Sequence, residues 1–123
     1  MERALAGCLI LIVEDEPLIA LDIAQAFEGA GAYVLKTRVL QDAVRLVERD
    51  GLSAAVLDHA LGDGDGSHLC ERLKERDIPF IMYSGFSEMK GACRDSPRVA
   101  KPANPAVLVN RLAGLLRGHA IPS

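Results

Sequence analysis

Five residues of this chain carry side chains whose types suit phosphate or metal chemistry, and each stands just past a short apolar run. Glu14 and Asp15 follow "LILIV", Asp58 follows "SAAVL", Ser84 follows "FIMY", and Lys101 follows "VA". If those runs are strands of one parallel sheet, two or three carboxylates, a hydroxyl and an ammonium meet at one rim. In open α/β sheets, ligands bind at that rim, outside the carboxyl ends of the strands. Carboxylates packed so closely repel and raise one another's pKa unless a divalent cation occupies the space between them. A set made only of oxygen ligands favours Mg²⁺, which keeps several waters and takes one or two protein carboxylates plus a phosphate oxygen. The metal would offset charge on an incoming phosphoryl group, with Lys101 as a second, fixed cation.

Positioning such a set requires strands alternating with helices, and the sequence has that order. Residues 8–13 are a continuous apolar run, the pattern of a strand covered on both faces. Pro17 suits a first helical turn, and Ile19, Ile23, Ala26, Phe27 and Ala30 recur at helical spacing until Gly29 and Gly31. Tyr33 to Lys36 reads as a second strand and Gln41 to Arg49 as a helix closed by Asp50-Gly51. Ser53 to Leu57 reads as a third strand, followed by a Gly-rich loop and a helix around Leu69 and Leu73. Pro79 to Tyr83 is a fourth strand and Val99-Ala100 a short fifth; Pro105 opens a last helix bearing Leu108, Leu112 and Leu115. The fold class expected is α/β, a doubly wound five-stranded parallel sheet with helices on both faces.

The bulk properties suit this architecture. A chain of 123 residues, half of them hydrophobic, accommodates one domain with one core, expected at about residues 8–117, and leaves no room for an output domain. With 14 basic and 17 acidic residues and no long run of either sign, no basic field for nucleic acid is visible. No apolar run reaches the ~18 residues of a membrane span, and residues 1–7 lack the features of a signal peptide. A cytoplasmic protein is expected. Cys8, Cys70 and Cys93 are odd in number, lie far apart and form no CxxC; they read as buried small hydrophobes in a reducing compartment, against a disulfide or a zinc site.

Four segments together resemble the receiver domain of two-component response regulators: "VEDE" after strand one, "LDHALGDGDG" after strand three, "YSGF" after strand four and "AKP" after strand five. The resemblance runs from Leu9 to about Leu116. By position it implies Asp58 as the phosphoacceptor, Glu14 and Asp15 as the acidic metal pair, Ser84 as the family's hydroxyl and Lys101 as its lysine. The Mg²⁺ ion would also take the backbone carbonyl of Ala60, and N–H groups near Ala60 and Gly85 would hold phosphoryl oxygens. The implied reaction is phosphoryl transfer from a phosphohistidine on a histidine kinase or phosphotransfer protein to Asp58, followed by slow hydrolysis. Such a protein is no enzyme toward other substrates; it signals by contact with a downstream protein or drains phosphate from a kinase. A degenerate receiver used as a phosphorylation-independent docking module is the alternative.

Departures from the family pattern mark the switch region. Gly85 stands where Ala is common, and Arg98 stands where most receivers carry an inward-swinging aromatic. The segment before Arg98 is short and holds Gly91, so activation is expected to change order within residues 85–97 instead of flipping a ring. Stand-alone receivers with a "TGY"-like sequence share these features in part.

Other candidates have plainer readings. Glu16 beside Pro17 complements a helix N-terminus, and His59, His68 and His119 read as surface residues. "GDGDG" at 62–66 lacks the Glu that an EF-hand loop needs. A haloacid-dehalogenase-type hydrolase would carry its nucleophile on the first strand with a second Asp two residues on, whereas Asp58 is on the third and position 60 is Ala. A flavodoxin-like module would place a Gly- or Ser/Thr-rich phosphate loop where "EDEP" stands.

Overall fold

A computed structural model describes residues 4–58, 67–84, 93 and 96–120, with side chains for all of these except Ser84, His119 and Ala120. The elements run β1 (Leu9–Val13), α1 (Pro17–Gly29), β2 (Tyr33–Thr37), α2 (Leu40–Leu46), β3 (Ala54–Asp58), α3 (Ser67–Glu75), β4 (Phe80–Ser84), β5 (Arg98–Ala100) and α4 (Pro105–Ala120). All the strand pairs are parallel, in the order β2-β1-β3-β4-β5. The chain winds outward from β1 to β2, then returns past β1 to β3. That reversal leaves a crevice between the carboxyl ends of β1 and β3.

Strand residues alternate between two cores, as a pleat of period two requires. Ile10, Ile12, Ala54, Val56, Ile81, Tyr83 and Val99 pack with Ile23 and Phe27 of α1 and with Leu108 and Leu112 of α4. Leu11, Val13, Ala55, Leu57, Phe80 and Met82 pack on the other face with Ala43 of α2 and with Leu69, Cys70 and Leu73 of α3. Both faces of the sheet are therefore covered, which is why β1 and β3 read as unbroken apolar runs.

Helix α1 begins and ends where the sequence indicates. Glu16 is its N-cap, accepting from the Leu18 N–H at 3.5 Å, and Pro17 opens its first turn. Gly31, at φ +98°, lets the chain turn into β2 in a conformation that costs residues with a Cβ. Helix α2 is shorter than its periodicity predicts. Past Leu46 the chain tightens into i→i−3 hydrogen bonds, Glu48 N–H to Arg45 and Arg49 N–H to Leu46, while the Arg76 guanidinium donates to the Val47 carbonyl. These contacts give the last carbonyls partners that α-helical continuation would otherwise supply.

The expectation of unpaired cysteines is corrected by the structure. Cys70 and Cys93 form a disulfide with a Cα–Cα distance of 5.3 Å, and only Cys8 is a free thiol. Both paired residues are buried, as expected, but they lie 23 residues apart in sequence, Cys70 on α3 and Cys93 between β4 and β5. Adjacency across a crossover leaves no mark in cysteine spacing. A reducing compartment accordingly loses the support that unpaired cysteines would lend it. Among the described residues, no helix is long and apolar enough to cross a membrane.

Candidate functional site

The registers place the site residues before any side-chain detail. Val13 pairs with Leu57, so Glu14 and Asp58 are the next residues of two adjacent strands. Asp58 in turn pairs with Tyr83, and Ser84 with Ala100, the residue before Lys101. Glu14 continues the sheet by one more bond, its N–H donating to the Thr37 carbonyl at 3.1 Å.

Glu14 and Asp58 are only 2% and 4% exposed, which for carboxylates demands compensation. Lys101 provides part of it. Its Nζ lies 2.9 Å from Glu14 Oε1 and 3.3 Å from Asp58 Oδ2, and it also sits 5.3 Å from the centroid of the Tyr83 ring. The second Glu14 oxygen, Oε2, accepts from the Glu16 N–H at 3.1 Å. Oε1, however, is fully buried and has the ammonium as a charged neighbour without an aligned hydrogen-bond donor among the described residues. Asp15 is exposed beside them, and one oxygen from each of Glu14, Asp15 and Asp58 falls within 4.8 Å of the others.

Two buried carboxylates facing one ammonium leave the cluster short of positive charge. Burial, reinforced by Asp58, pushes the Glu14 carboxyl up to about 7, against the opposing pull of Lys101 and the Glu16 N–H. For Lys101, burial alone would lower the pKa, but the close ion pair with Glu14 and the charge of Asp58 outweigh it and the net direction is upward. Lys101 is thus held charged while Glu14 retains its proton toward neutrality. A hard divalent cation fits this donor set: all oxygen, one too few charges, and a buried oxygen lacking a donor.

The family model for the response regulator receiver domain matches residues 10–113. The chain belongs to the receiver domain family. It is 35% identical over 105 residues to the phyllosphere-induced regulator PhyR of Methylorubrum extorquens, covering 79% of this chain and 39% of that protein. Among solved structures, it superposes at a TM-score of 0.80 and 25% identity on a CheY-like receiver domain protein from Methanospirillum hungatei, covering 90% of this chain and 94% of that one. It superposes at 0.78, also at 25% identity, on the receiver domain of the sensor histidine kinase PA1611 from Pseudomonas aeruginosa, covering 91% and 99%; that structure has a magnesium ion coordinated in its active-site cleft. The chain spans about half the length, or less, of the curated relatives it matches. Receiver domains bind Mg²⁺ at their acidic pocket, accept phosphoryl groups and interact with histidine kinases or phosphotransfer proteins.

Within this receiver, Glu14, Asp15, Asp58 and Lys101 converge as the sequence predicts. Ser84 ends β4 beside Ala100, with its side chain outside the described residues, where Ala60, Gly85, His59 and most of residues 85–97 also lie. His68 is exposed, and so is Arg98 at the start of β5. One contributor escapes a search for chemical side chains. The Tyr83 hydroxyl binds both backbone groups of Ala103 and so fixes the turn that carries Lys101. Its trace in the sequence is the strand alternation that buries this hydroxyl on the α1/α4 face, where it must find a partner.

Proposed function

We propose that this receiver accepts a phosphoryl group on Asp58 from the phosphohistidine of a histidine kinase or phosphotransfer protein, in a Mg²⁺-dependent reaction. The observation that carries the reading is the convergence of Glu14 Oε1 and Asp58 Oδ2 on one lysine Nζ at the carboxyl rim of the sheet.

An Asp58 oxygen attacks phosphorus, the P–N bond of the donor breaks, and the departing imidazole takes up a proton. Lys101 exchanges its contact with Asp58 for the phosphoryl oxygens, where its fixed charge offsets what the transfer brings. Glu14, Asp15 and Asp58, with the Ala60 carbonyl that the family resemblance implies, would hold Mg²⁺, which supplies further charge neutralisation at the phosphoryl group. Ser84 and the Gly85 N–H take phosphoryl oxygens by the same resemblance. The low exposure of Asp58 keeps bulk water from its carboxylate, consistent with hydrolysis slower than transfer. The phosphorylated domain then acts through a downstream protein or drains phosphate from its donor.

Incubation with Mg²⁺ and acetyl phosphate tests the reading. Intact mass should rise by one phosphoryl group, and by none when Mg²⁺ is chelated. A chain that never gains the group would instead be a docking module independent of phosphorylation.

A further inference from the structure

We propose that Cys70 and Cys93 form a reversible thiol–disulfide site whose oxidation state adjusts phosphoryl acceptance at Asp58. The coupling rests on the phosphoryl-transfer function proposed above. The bond joins the buried face of α3 to the β4–β5 connection and encloses the whole of β4, including Tyr83 and Ser84. Its surroundings are apolar: Leu69, Leu73, Ile78 and Phe80 belong to the same core, and Met82 Sδ lies 3.7 Å from Cys70 Sγ. Among the described residues the sole cluster able to hold a metal is Glu14, Asp15 and Asp58, and neither cysteine belongs to it. A pair of cysteines joined as a disulfide can undergo two-electron reduction to two thiols and reoxidation.

The reaction balances with a low-molecular-weight disulfide as oxidant. A protein thiolate attacks it, releasing one small thiol and forming a mixed disulfide; the second protein thiolate then displaces the other small thiol. Two protein thiols are oxidised and one external disulfide is reduced to two thiols. Cys70 and Cys93 are 0% and 1% exposed, so the exchange proceeds through local opening of the structure.

The link to the phosphoryl site is short. The Cys93 carbonyl accepts from the Ser96 N–H at 3.1 Å, the Pro97 carbonyl accepts from the Met82 N–H at 2.8 Å, and β5 then runs directly into Lys101. The cross-link therefore restrains the chain on both sides of the strand pair that presents Ser84 and Lys101. In this disulfide-bonded structure Lys101 contacts both carboxylates, whereas acceptance requires Lys101 to exchange Asp58 for phosphoryl oxygens. Oxidation should slow acceptance. Oxidation should likewise weaken binding of a phosphoryl mimic, and because coupling between two binding equilibria is reciprocal, the mimic should make the disulfide easier to reduce.

The full chain is equilibrated in glutathione buffers of graded redox ratio, quenched, unfolded, alkylated and mapped by mass spectrometry. Cys70 and Cys93 should lose their thiols together as a linked peptide pair that Cys8 does not join, and beryllofluoride should shift the midpoint toward easier reduction. The oxidised chain should melt ~10 °C higher. With Mg²⁺ and acetyl phosphate, the reduced chain should be phosphorylated about fivefold faster. Cys70→Ala should make the rate independent of the buffer, and Cys93→Ser serves if that variant does not fold. Free Cys70 and Cys93 thiols in the most oxidising buffer, or equal phosphorylation rates in both wild-type states, would overturn the proposal while leaving Asp58 as acceptor intact. Absence of phosphorylation in both states would overturn the role of Asp58 and the coupling with it, whatever the thiol titration shows.

Discussion

The Tyr83 hydroxyl donates to the Ala103 carbonyl at 3.2 Å and accepts from the Ala103 N–H at 3.0 Å, closing a clasp between β4 and the turn after Lys101. Lys101 also lies over the same ring. Tyr83→Phe keeps the ring and removes the clasp, leaving two backbone groups short of a partner at a cost of about 1–3 kcal/mol. The variant should melt lower and accept a phosphoryl group more slowly, because Lys101 is less well placed, yet bind Mg²⁺ as wild type does. Equal melting temperatures and equal rates would show that the clasp positions nothing.

Glu14 makes the metal-free protein less stable as pH rises through the acidic range. Below its ordinary pKa of 4.5, folded and unfolded chains both hold the proton; between 4.5 and about 7 only the folded chain does. The unfolded state then binds fewer protons, so stability falls with increasing pH across that window and this group contributes no further change above it. Lys101, with its pKa raised above 10.5, adds stability that is lost only at still higher pH. Urea unfolding of metal-free wild type and Glu14→Gln across the acidic window checks this. The wild-type slope should be the more negative; identical slopes would mean that Glu14 does not carry the proton.

Mg²⁺ should raise thermal stability, since the ion binds the folded carboxylate cluster far better than the unfolded chain. At ~100 times the dissociation constant the gain is about 2.7 kcal/mol. Asp15→Asn removes the exposed member of the cluster and should diminish the gain sharply without disturbing the buried Glu14–Lys101 pair. A melting temperature indifferent to millimolar Mg²⁺ in both proteins would argue against a metal at these acids.

The acids and the lysine were legible because local signals suffice for them. Apolar runs covered on both faces locate strand ends, and the parallel registers then bring residues 14, 58 and 101 together without further information. Burial of Glu14 and Asp58 also follows from their place at the ends of covered strands. The early end of α2 did not show, because it depends on Arg76, a residue from beyond α3 that reaches the Val47 carbonyl. The Cys70–Cys93 bond did not show either, since a crossover path and not spacing decides which sulfurs meet. Tyr83 lay between these cases: its burial is readable from strand alternation, but its partner Ala103 is set by the turn after Lys101.

The most direct test of phosphoryl acceptance locates the phosphoryl group. Receiver treated with Mg²⁺ and acetyl phosphate is digested at low temperature and mapped by mass spectrometry, beside Asp58→Asn and Lys101→Ala. The adduct should fall on the peptide containing Asp58, be absent from Asp58→Asn although that protein folds, and form slowly in Lys101→Ala. An adduct on another residue, or undiminished labelling of Asp58→Asn, would contradict the assignment of Asp58 as the acceptor.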